Sequence, residues 1–247
     1  WVTKKGIIKR LLRYLDFITS TLSTVVIVDS PSQRGFLEEQ KVVKKNRAVV
    51  IGHGSISGVN VKRFYLDKEL RKKIRLDMGI QESSVVFLFT GRLKKDKGVF
   101  DLVEAFYRVS RQISDSELWL VGDDEENCES QIRAYDFVKR CNIKFIKYTP
   151  SPETYIKAAD VFCLPSYREG FGSTIIEAAF CGIPSIGSNI YGITDAIVNN
   201  KTGLIANVGD IDELTSKMLL MAQNSSLRKK MGDVAKNNAL QKFDSSM

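Results

Sequence analysis

The sequence predicts an α/β protein built on a doubly wound parallel sheet. From Val85 onward, short apolar runs alternate strictly with helical patterns. The strands fall at 85–90, 117–121, 143–147, 160–164, 184–187 and 203–206. The helices fall near 98–113, 128–140, 152–159, 173–181, 192–198, 210–222 and 225–241. The strands are continuous apolar runs, such as Val85-Val-Phe-Leu-Phe, as expected when helices cover both faces of a sheet. Such alternation implies parallel strands joined by crossover helices. In sheets of this kind ligands bind at the carboxyl ends of the strands, near the point where strand order reverses. The segments 90–98, 122–127, 165–173 and the one after strand 143–147 are therefore the places to seek a site.

Ahead of this block the pattern differs. An opening helix is followed by a strand at Thr24-Val-Val-Ile-Val, a helix around Ser32 to Gln40 and a strand at Ala48-Val-Val-Ile-Gly. A loop rich in Gly, Ser and Asn runs from Gly52 to Asn60, and a charged helix follows from Asp67 to Met78. The expected division is 1–66 as the tail of a second α/β domain with its hinge, and 67–247 as a Rossmann-like ligand-binding domain. The chain opens at Trp1, with no initiator Met, directly in a helical pattern, and is expected to be a fragment.

At 247 residues, 43% hydrophobic and 27% charged, the composition is that of an ordinary globular protein. No apolar run reaches the roughly 18 residues that cross a bilayer. Cys128, Cys141, Cys163 and Cys181 show no CxxC pairing and read as reduced thiols of a cytosolic protein. The single histidine, His53, leaves no His-cluster metal site and no Ser-His-Asp chemistry within this chain. Residues 1–80 carry 17 Lys and Arg against 7 Asp and Glu, whereas residues 81–247 carry 20 against 22. The net charge of +8 thus belongs to the front piece. No nucleic-acid module or basic–aromatic interleaving accompanies it, so nucleic acid is not an expected partner. In the opening helix Ile8, Leu11, Leu12, Leu15, Ile18 and Leu22 form an apolar stripe opposite Lys4, Lys5, Lys9, Arg10 and Arg13. That pattern suits either a face packed on the rest of its own domain or peripheral contact with an anionic membrane.

The most informative segment is Glu169-Gly-Phe-Gly-Ser-Thr-Ile-Ile-Glu177, between a predicted strand and a helix closed by Gly182 and broken by Pro184. Two carboxylates lie eight residues apart, one in the loop and one a turn inside the helix. The glycine loop (Gly170, Phe171, Gly172) offers backbone N–H groups at a helix start, where the dipole favours an anion. A phosphate fits beside Ser173 and Thr174, and Glu177 on the same face can accept both hydroxyls of a ribose. The alternatives for both carboxylates are surface solvation or a helix-start charge effect. In the Thr90-Gly91-Arg92 turn, Arg92 and the nearby Lys97 can clamp a diphosphate, or belong with Lys94 and Lys95 to a solvated turn. Asp195, at a helix start, caps or packs.

This segment resembles the Glu-x7-Glu motif of the retaining, GT-B-fold glycosyltransferases of the "group 1" family. Val86-Phe-Leu-Phe-Thr-Gly-Arg-Leu-Lys-Lys-Asp-Lys-Gly-Val-Phe resembles the family's strand, Gly-Arg turn and Glu-Lys-Gly helix start, with Asp96 where Glu is usual. Leu118-Trp-Leu-Val-Gly, Gly182-Ile-Pro-Ser-Ile-Gly-Ser and Asn199-Asn-Lys-Thr-Gly-Leu-Ile resemble later landmarks in the family's order, over roughly residues 48 to 245. The likeness makes residues 67–247 the donor-binding domain, with the Gly52–Asn60 loop as the hinge to the acceptor domain. It implies a sugar moved, with retention, from a nucleotide sugar, UDP-linked in the expected case, to a glycan or lipid-linked acceptor. The style of Gly54-Ser-Ile-Ser-Gly-Val-Asn looks like bacterial enzymes of capsule or O-antigen assembly working at the inner face of the membrane.

By the same likeness Glu177 binds ribose. Glu169 lies by the donor sugar as the proposed catalytic carboxylate, with Arg92 and Lys97 serving catalysis as the diphosphate clamp. Gly91 shapes their turn, and Lys147, Tyr148 and Thr149 meet the base. No obligatory metal and no further cofactor are implied. Gly122-Asp-Asp-Glu-Glu departs from the family pattern by lacking its second glycine and Pro, which leaves that loop's shape open. Competing readings are a GT-B nucleotide-sugar epimerase, a glycogen-type synthase, or a module that only binds a nucleotide sugar.

Overall fold

The computed structural model describes every residue except 3, 56, 57, 246 and 247. Ile56 and Ser57, which belong to the hinge-loop expectation, therefore lie outside the described residues. The front piece opens with α1 (Gly6–Leu22), β1 (Val26–Val28), α2 (Pro31–Glu39) and β2 (Ala48–Val50). β1 and β2 pair in parallel, Val26 opposite Ala48. A small core of Val28, Val42, Val43 and Ala48 lies beneath them. The apolar stripe of α1 stays largely outside this core: Ile8, Leu11, Leu15 and Leu22 are exposed.

α3 (Lys68–Asp77) leads into the larger unit, and its Arg75 fastens it there. Arg75 is 1% exposed, and it donates to the carbonyls of Ala158, Gln81, Glu82 and Ser84 and to Asp160 Oδ2 at 3.2 Å. Asp160 also takes Arg71 at 2.8 Å and the backbone N–H of Val86 at 2.8 Å. A buried guanidinium is tolerable only with such a set of acceptors.

The main sheet contains β3 (Val85–Thr90), β4 (Ser116–Val121), β5 (Ile143–Ile146), β6 (Val161–Leu164), β7 (Ser185–Ser188) and β8 (Gly203–Ala206). All neighbours run parallel, in the order β5-β4-β3-β6-β7-β8. Order therefore reverses between β3 and β6. The connecting helices are α4 (Val99–Ser110), α5 (Cys128–Arg133), α6 (Glu153–Ala158), α7 (Ser173–Phe180), α8 (Ile193–Ala196), α9 (Ile211–Gln223) and α10 (Ser225–Lys242). The core contains Phe87, Leu88, Phe106, Leu118, Trp119 and Phe162, each with 0% of its surface exposed. This is the doubly wound α/β fold that the alternation predicts, with every strand within about a residue of its expected place.

The helices depart from expectation at two points. The expected helix over 128–140 breaks after α5 into a 3-10 turn, Asp136–Arg140, because Tyr135 turns extended (φ −75°, ψ 125°). Its ring instead stacks on Phe137 at 5.3 Å, and Phe137 stacks on Tyr107 at 4.5 Å. The expected helix over 192–198 shrinks to the four residues of α8, closed by Ile197 in an extended conformation. Past α10 the chain returns to the front piece, where Val59 N–H donates to Phe243 O (3.0 Å) and Ser245 N–H to Val59 O (3.1 Å).

Candidate active site

The reversal point brings two loops together. Pro165 and Ser166 follow β6, and the Gly91 turn follows β3. Gly98 joins them: its φ is +70°, and a Cβ there would run into the Pro165 carbonyl oxygen. Lys97, one residue earlier, places Nζ 2.6 Å from Glu169 Oε1. The buried Ser166 donates its hydroxyl to the same oxygen at 2.9 Å. Both partners of the ion pair are mostly shielded, at 18% and 13% side-chain exposure. Such a pair holds its geometry far better than one in bulk water. A cation and a carboxylate are thus fixed side by side at the carboxyl end of the sheet.

Arg92 is held elsewhere. It is 59% exposed and pairs at 3.3 Å with Glu125, which also binds Lys94 at 2.6 Å. The acidic 122–127 loop, whose shape the sequence leaves open, grips this turn. Asp124 accepts from the N–H groups of Cys128 (2.7 Å) and Glu129 (2.9 Å), capping α5, and Glu126 accepts from Lys95 N–H at 3.0 Å. The two expected clamp cations thus have different ion-pair partners, Lys97 with Glu169 and Arg92 with Glu125, although both line one cleft.

The start of α7 also differs in detail. Ser173 N–H turns back to Phe171 O and Ile175 N–H to Gly172 O, both at 2.9 Å. The turn uses two donors locally, so the anion-facing side of this start rests on the glycine loop more than on Ser173. Thr174, like Ser173, is half-buried, and Phe171 packs against Phe243 at 5.4 Å. Glu177 sits one turn into α7, and burial pushes its carboxyl up to about 7, with Arg63 pulling it down and Glu153 adding to the rise.

Lys147 and Tyr148, expected at the base, are exposed beyond β5 and line a separate cleft of about 480 Å³ with Gly122, Asp123, Glu129 and Phe145. Thr149 follows, its Oγ1 accepting from Ser151 N–H at 3.1 Å. A second cleft of about 480 Å³ opens between the front piece and the large unit. The large unit contributes Arg92, Lys97, Arg168, Glu169, Gly170 and Tyr191 to it, and the front piece Gln33 and Phe36. The first of these clefts is mainly acidic, with Asp123, Asp124 and Glu129 against Lys147, whereas the second mixes Arg92, Lys97 and Arg168 with Asp16, Asp96 and Glu169.

Sequence reasoning does not find several residues here. Ser166 and Arg168 carry a weak signal, since they follow directly on the carboxyl end of β6. Asp29, which lies against Gly170, and Arg63, whose charge acts on Glu177, come from distant segments and carry none. Asp195 packs, as its alternatives allow, but on the front piece: its Oδ2 accepts from Ser32 N–H at 3.0 Å and from the Ser32 hydroxyl. Gly192 N–H in turn donates to Ser32 Oγ at 2.8 Å. Among the described residues no helix is long and apolar enough to cross a membrane. The four cysteines are free thiols, three of them buried.

A parallel six-stranded sheet that reverses between β3 and β6 is the doubly wound arrangement, and this one matches the structures of GT-B glycosyltransferases. Residues 70–238 match the family "Glycosyl transferases group 1", and the chain belongs to that family. It is 28% identical over 249 residues to the capsular polysaccharide biosynthesis glycosyltransferase CapM of Staphylococcus aureus, covering 99% of this chain and 64% of CapM. It is 26% identical to N-acetyl-alpha-D-glucosaminyl L-malate synthase of Bacillus anthracis, covering 89% of this chain and 56% of that protein. The chain thus spans somewhat over half the length of these relatives. Among solved structures, Anabaena HepE in complex with UDP and glucose superposes with a TM-score of 0.83 at 20% identity, covering 96% of this chain and 64% of HepE. That likeness is one of fold.

Proposed function

We propose that this chain carries the donor half of a retaining glycosyltransferase that moves a sugar from a UDP-linked donor to a glycan or lipid-linked acceptor in bacterial surface-polysaccharide assembly. The observation that carries the reading is the Lys97–Glu169 pair at the reversal point, at the head of the glycine loop that leads into α7, one turn inside which Glu177 sits. A nucleotide sugar laid along this line meets each group with a suitable partner. The base lies by Lys147–Thr149, the ribose at Glu177, the diphosphate by Lys97 and the glycine loop, and the sugar at Glu169. Arg92 joins the diphosphate when it leaves Glu125. In the transfer the bond from the anomeric carbon to the diphosphate oxygen breaks and one to the acceptor hydroxyl oxygen forms on the same face. The hydroxyl proton leaves with the released diphosphate. Preorganised cations at the leaving oxygens lower the barrier by meeting the charge where it develops. The reading calls on these cations for the diphosphate and needs no metal ion.

The capsule function of CapM supports the polysaccharide assignment. In this reading the front piece, to about residue 66, belongs to the acceptor side. The exposed stripe of α1, with the cations around it, suits peripheral contact with the inner membrane face where lipid-linked acceptors lie. The test uses the full-length protein with membranes and labelled UDP-hexose. Glu169→Ala is expected to cut turnover while leaving UDP affinity nearly unchanged, and the product anomer is expected to match the donor's. Unaltered turnover removes Glu169 from the active site, and an inverted product contradicts retention.

A further inference from the structure

We propose that Arg63 is a positioning residue for the nucleoside half of the substrate, tying the segment after the Gly52–Asn60 loop to the loop beyond β5 and the start of α6, with its charge in electrostatic reach of Glu177. The proposal rests on the nucleotide reading above and adds a residue to it.

Arg63 is fixed from both ends. Its backbone N–H donates to Asn60 O at 3.0 Å, and Asn60 Oδ1 accepts from Lys62 N–H at 3.0 Å, closing a tight turn. The neighbouring Phe64 is buried, and the guanidinium lies 5.4 Å from its ring centroid. At the far end Arg63 donates through Nε to Glu153 Oε2 at 2.9 Å, and through Nη2 to the same oxygen at 2.8 Å and to Pro150 O. Pro150 ends the stretch Lys147–Thr149, and Glu153 is the first residue of α6. One side chain thus spans from the turn at Asn60 to the loop assigned to the base. Half exposed at 42%, against 16% for Glu153, it remains within reach of a ligand.

Its charge acts on the ribose carboxylate. Glu177 feels the charges of Arg63, which lowers its carboxyl, and of Glu153, which raises it, and these two are themselves ion-paired at 2.8 Å. Lys157 of α6 and Lys236 of α10 act instead on Cys181, four residues further along. Burial chiefly, with Glu153 adding to it, drives Glu177 toward its neutral form, and Arg63 is the group that opposes this. An ionised carboxylate accepts both ribose hydroxyls; a protonated one must donate at one oxygen and serves the diol less well. Arg63 therefore acts twice, by holding the base loop and by keeping Glu177 an acceptor near neutral pH.

The test is calorimetric titration of the chain with uridine and with UDP across pH 5.5 to 8.5, comparing the native protein with R63A, R63K and E153Q. Native uridine affinity is expected to rise with pH as Glu177 ionises. R63A is expected to weaken uridine and UDP by the same factor, about tenfold at neutral pH, and to move the midpoint upward. E153Q removes the neighbouring carboxylate and is expected to move the midpoint downward. R63K keeps the charge and is expected to leave the midpoint near its native position. General loosening of the loop cannot produce shifts of opposite sign. Unchanged uridine affinity and midpoint in R63A overturn the proposal, as do shifts of the same sign in R63A and E153Q. If R63A does not fold, the E153Q midpoint alone decides by its direction. Absence of binding by the native chain overturns the nucleotide reading and this inference with it. Native binding with an indifferent R63A overturns this inference alone.

Discussion

Lys97 and Glu177 are the residues at which charge and burial have opposite consequences. Lys97 is shielded but paired, so a diphosphate must compete with Glu169 for it. Replacing it with Ala is expected to weaken UDP by about 1.5–3 kcal/mol, the range for a hydrogen bond to a charged group, and to leave uridine nearly unaffected. Equal losses for both ligands in a calorimeter would place Lys97 away from the phosphates. Glu177 is raised by burial from 4.5 to about 7. Between those values the folded state holds more protons than the unfolded one, so its contribution to stability falls as pH rises through the window. Glu177→Gln is therefore expected to stabilise the fold at pH 8, by up to about 3 kcal/mol, with no gain at pH 4. The same change is expected to weaken uridine and UDP alike. Thermal melts at the two pH values check the first outcome, and a gain of equal size at both contradicts it. At this scale the sequence showed which residues carry charge near the loops, but not their partners. Nothing local in Arg92 says that Glu125 holds it, or in Glu169 that Ser166 does.

The elements were legible to the degree that a single period governed them. Apolar runs placed the strands of the large sheet, most directly the fully buried β3 and β6, whereas β7 reads Ser-Ile-Gly-Ser and the edge strand β5 is only half-buried. The helix expected over 128–140 breaks at Tyr135, which turns extended and stacks on Phe137, itself stacked on Tyr107. Propensity gives way to tertiary packing in such cases. The link of α3 to the sheet was equally hidden, since a charged helix reads as solvent-facing while Arg75 is buried. Arg75→Ala is expected to cost about 3–5 kcal/mol, because Asp160 loses a partner and several carbonyls lose their donor. Gly98→Ala is expected to cost about 1–3 kcal/mol through its left-handed backbone alone, and more through the Pro165 carbonyl. Urea denaturation measures both, and a neutral Gly98→Ala would mean that the β3 and β6 loops do not meet as described.

On the scale of the whole molecule, the seam between the front piece and the large unit is the part least visible in the sequence. Its contacts join Asp29 to Gly170 and Ser32 to Asp195, residues more than a hundred positions apart with no periodic pattern to link them. Family likeness suggested a hinge, whereas the polar bonds that close the seam came only from the structure. Asp195→Asn is expected to speed amide exchange at the start of α2 while leaving UDP affinity unchanged, since the bond it weakens joins the two pieces and not the nucleotide loops. Unchanged exchange there would show that the Ser32–Asp195 contact does not hold the seam.

The central claim is that residues 67–247 form a nucleotide-sugar site with its phosphate, ribose and sugar groups on one line from Lys97 to Glu177. Calorimetric titration of the folded chain with UDP, alongside GDP and ADP, tests it most directly. UDP is expected to bind in the micromolar to millimolar range, on the order of −4 to −8 kcal/mol. No detectable binding of any of these nucleoside diphosphates at millimolar concentration would contradict it.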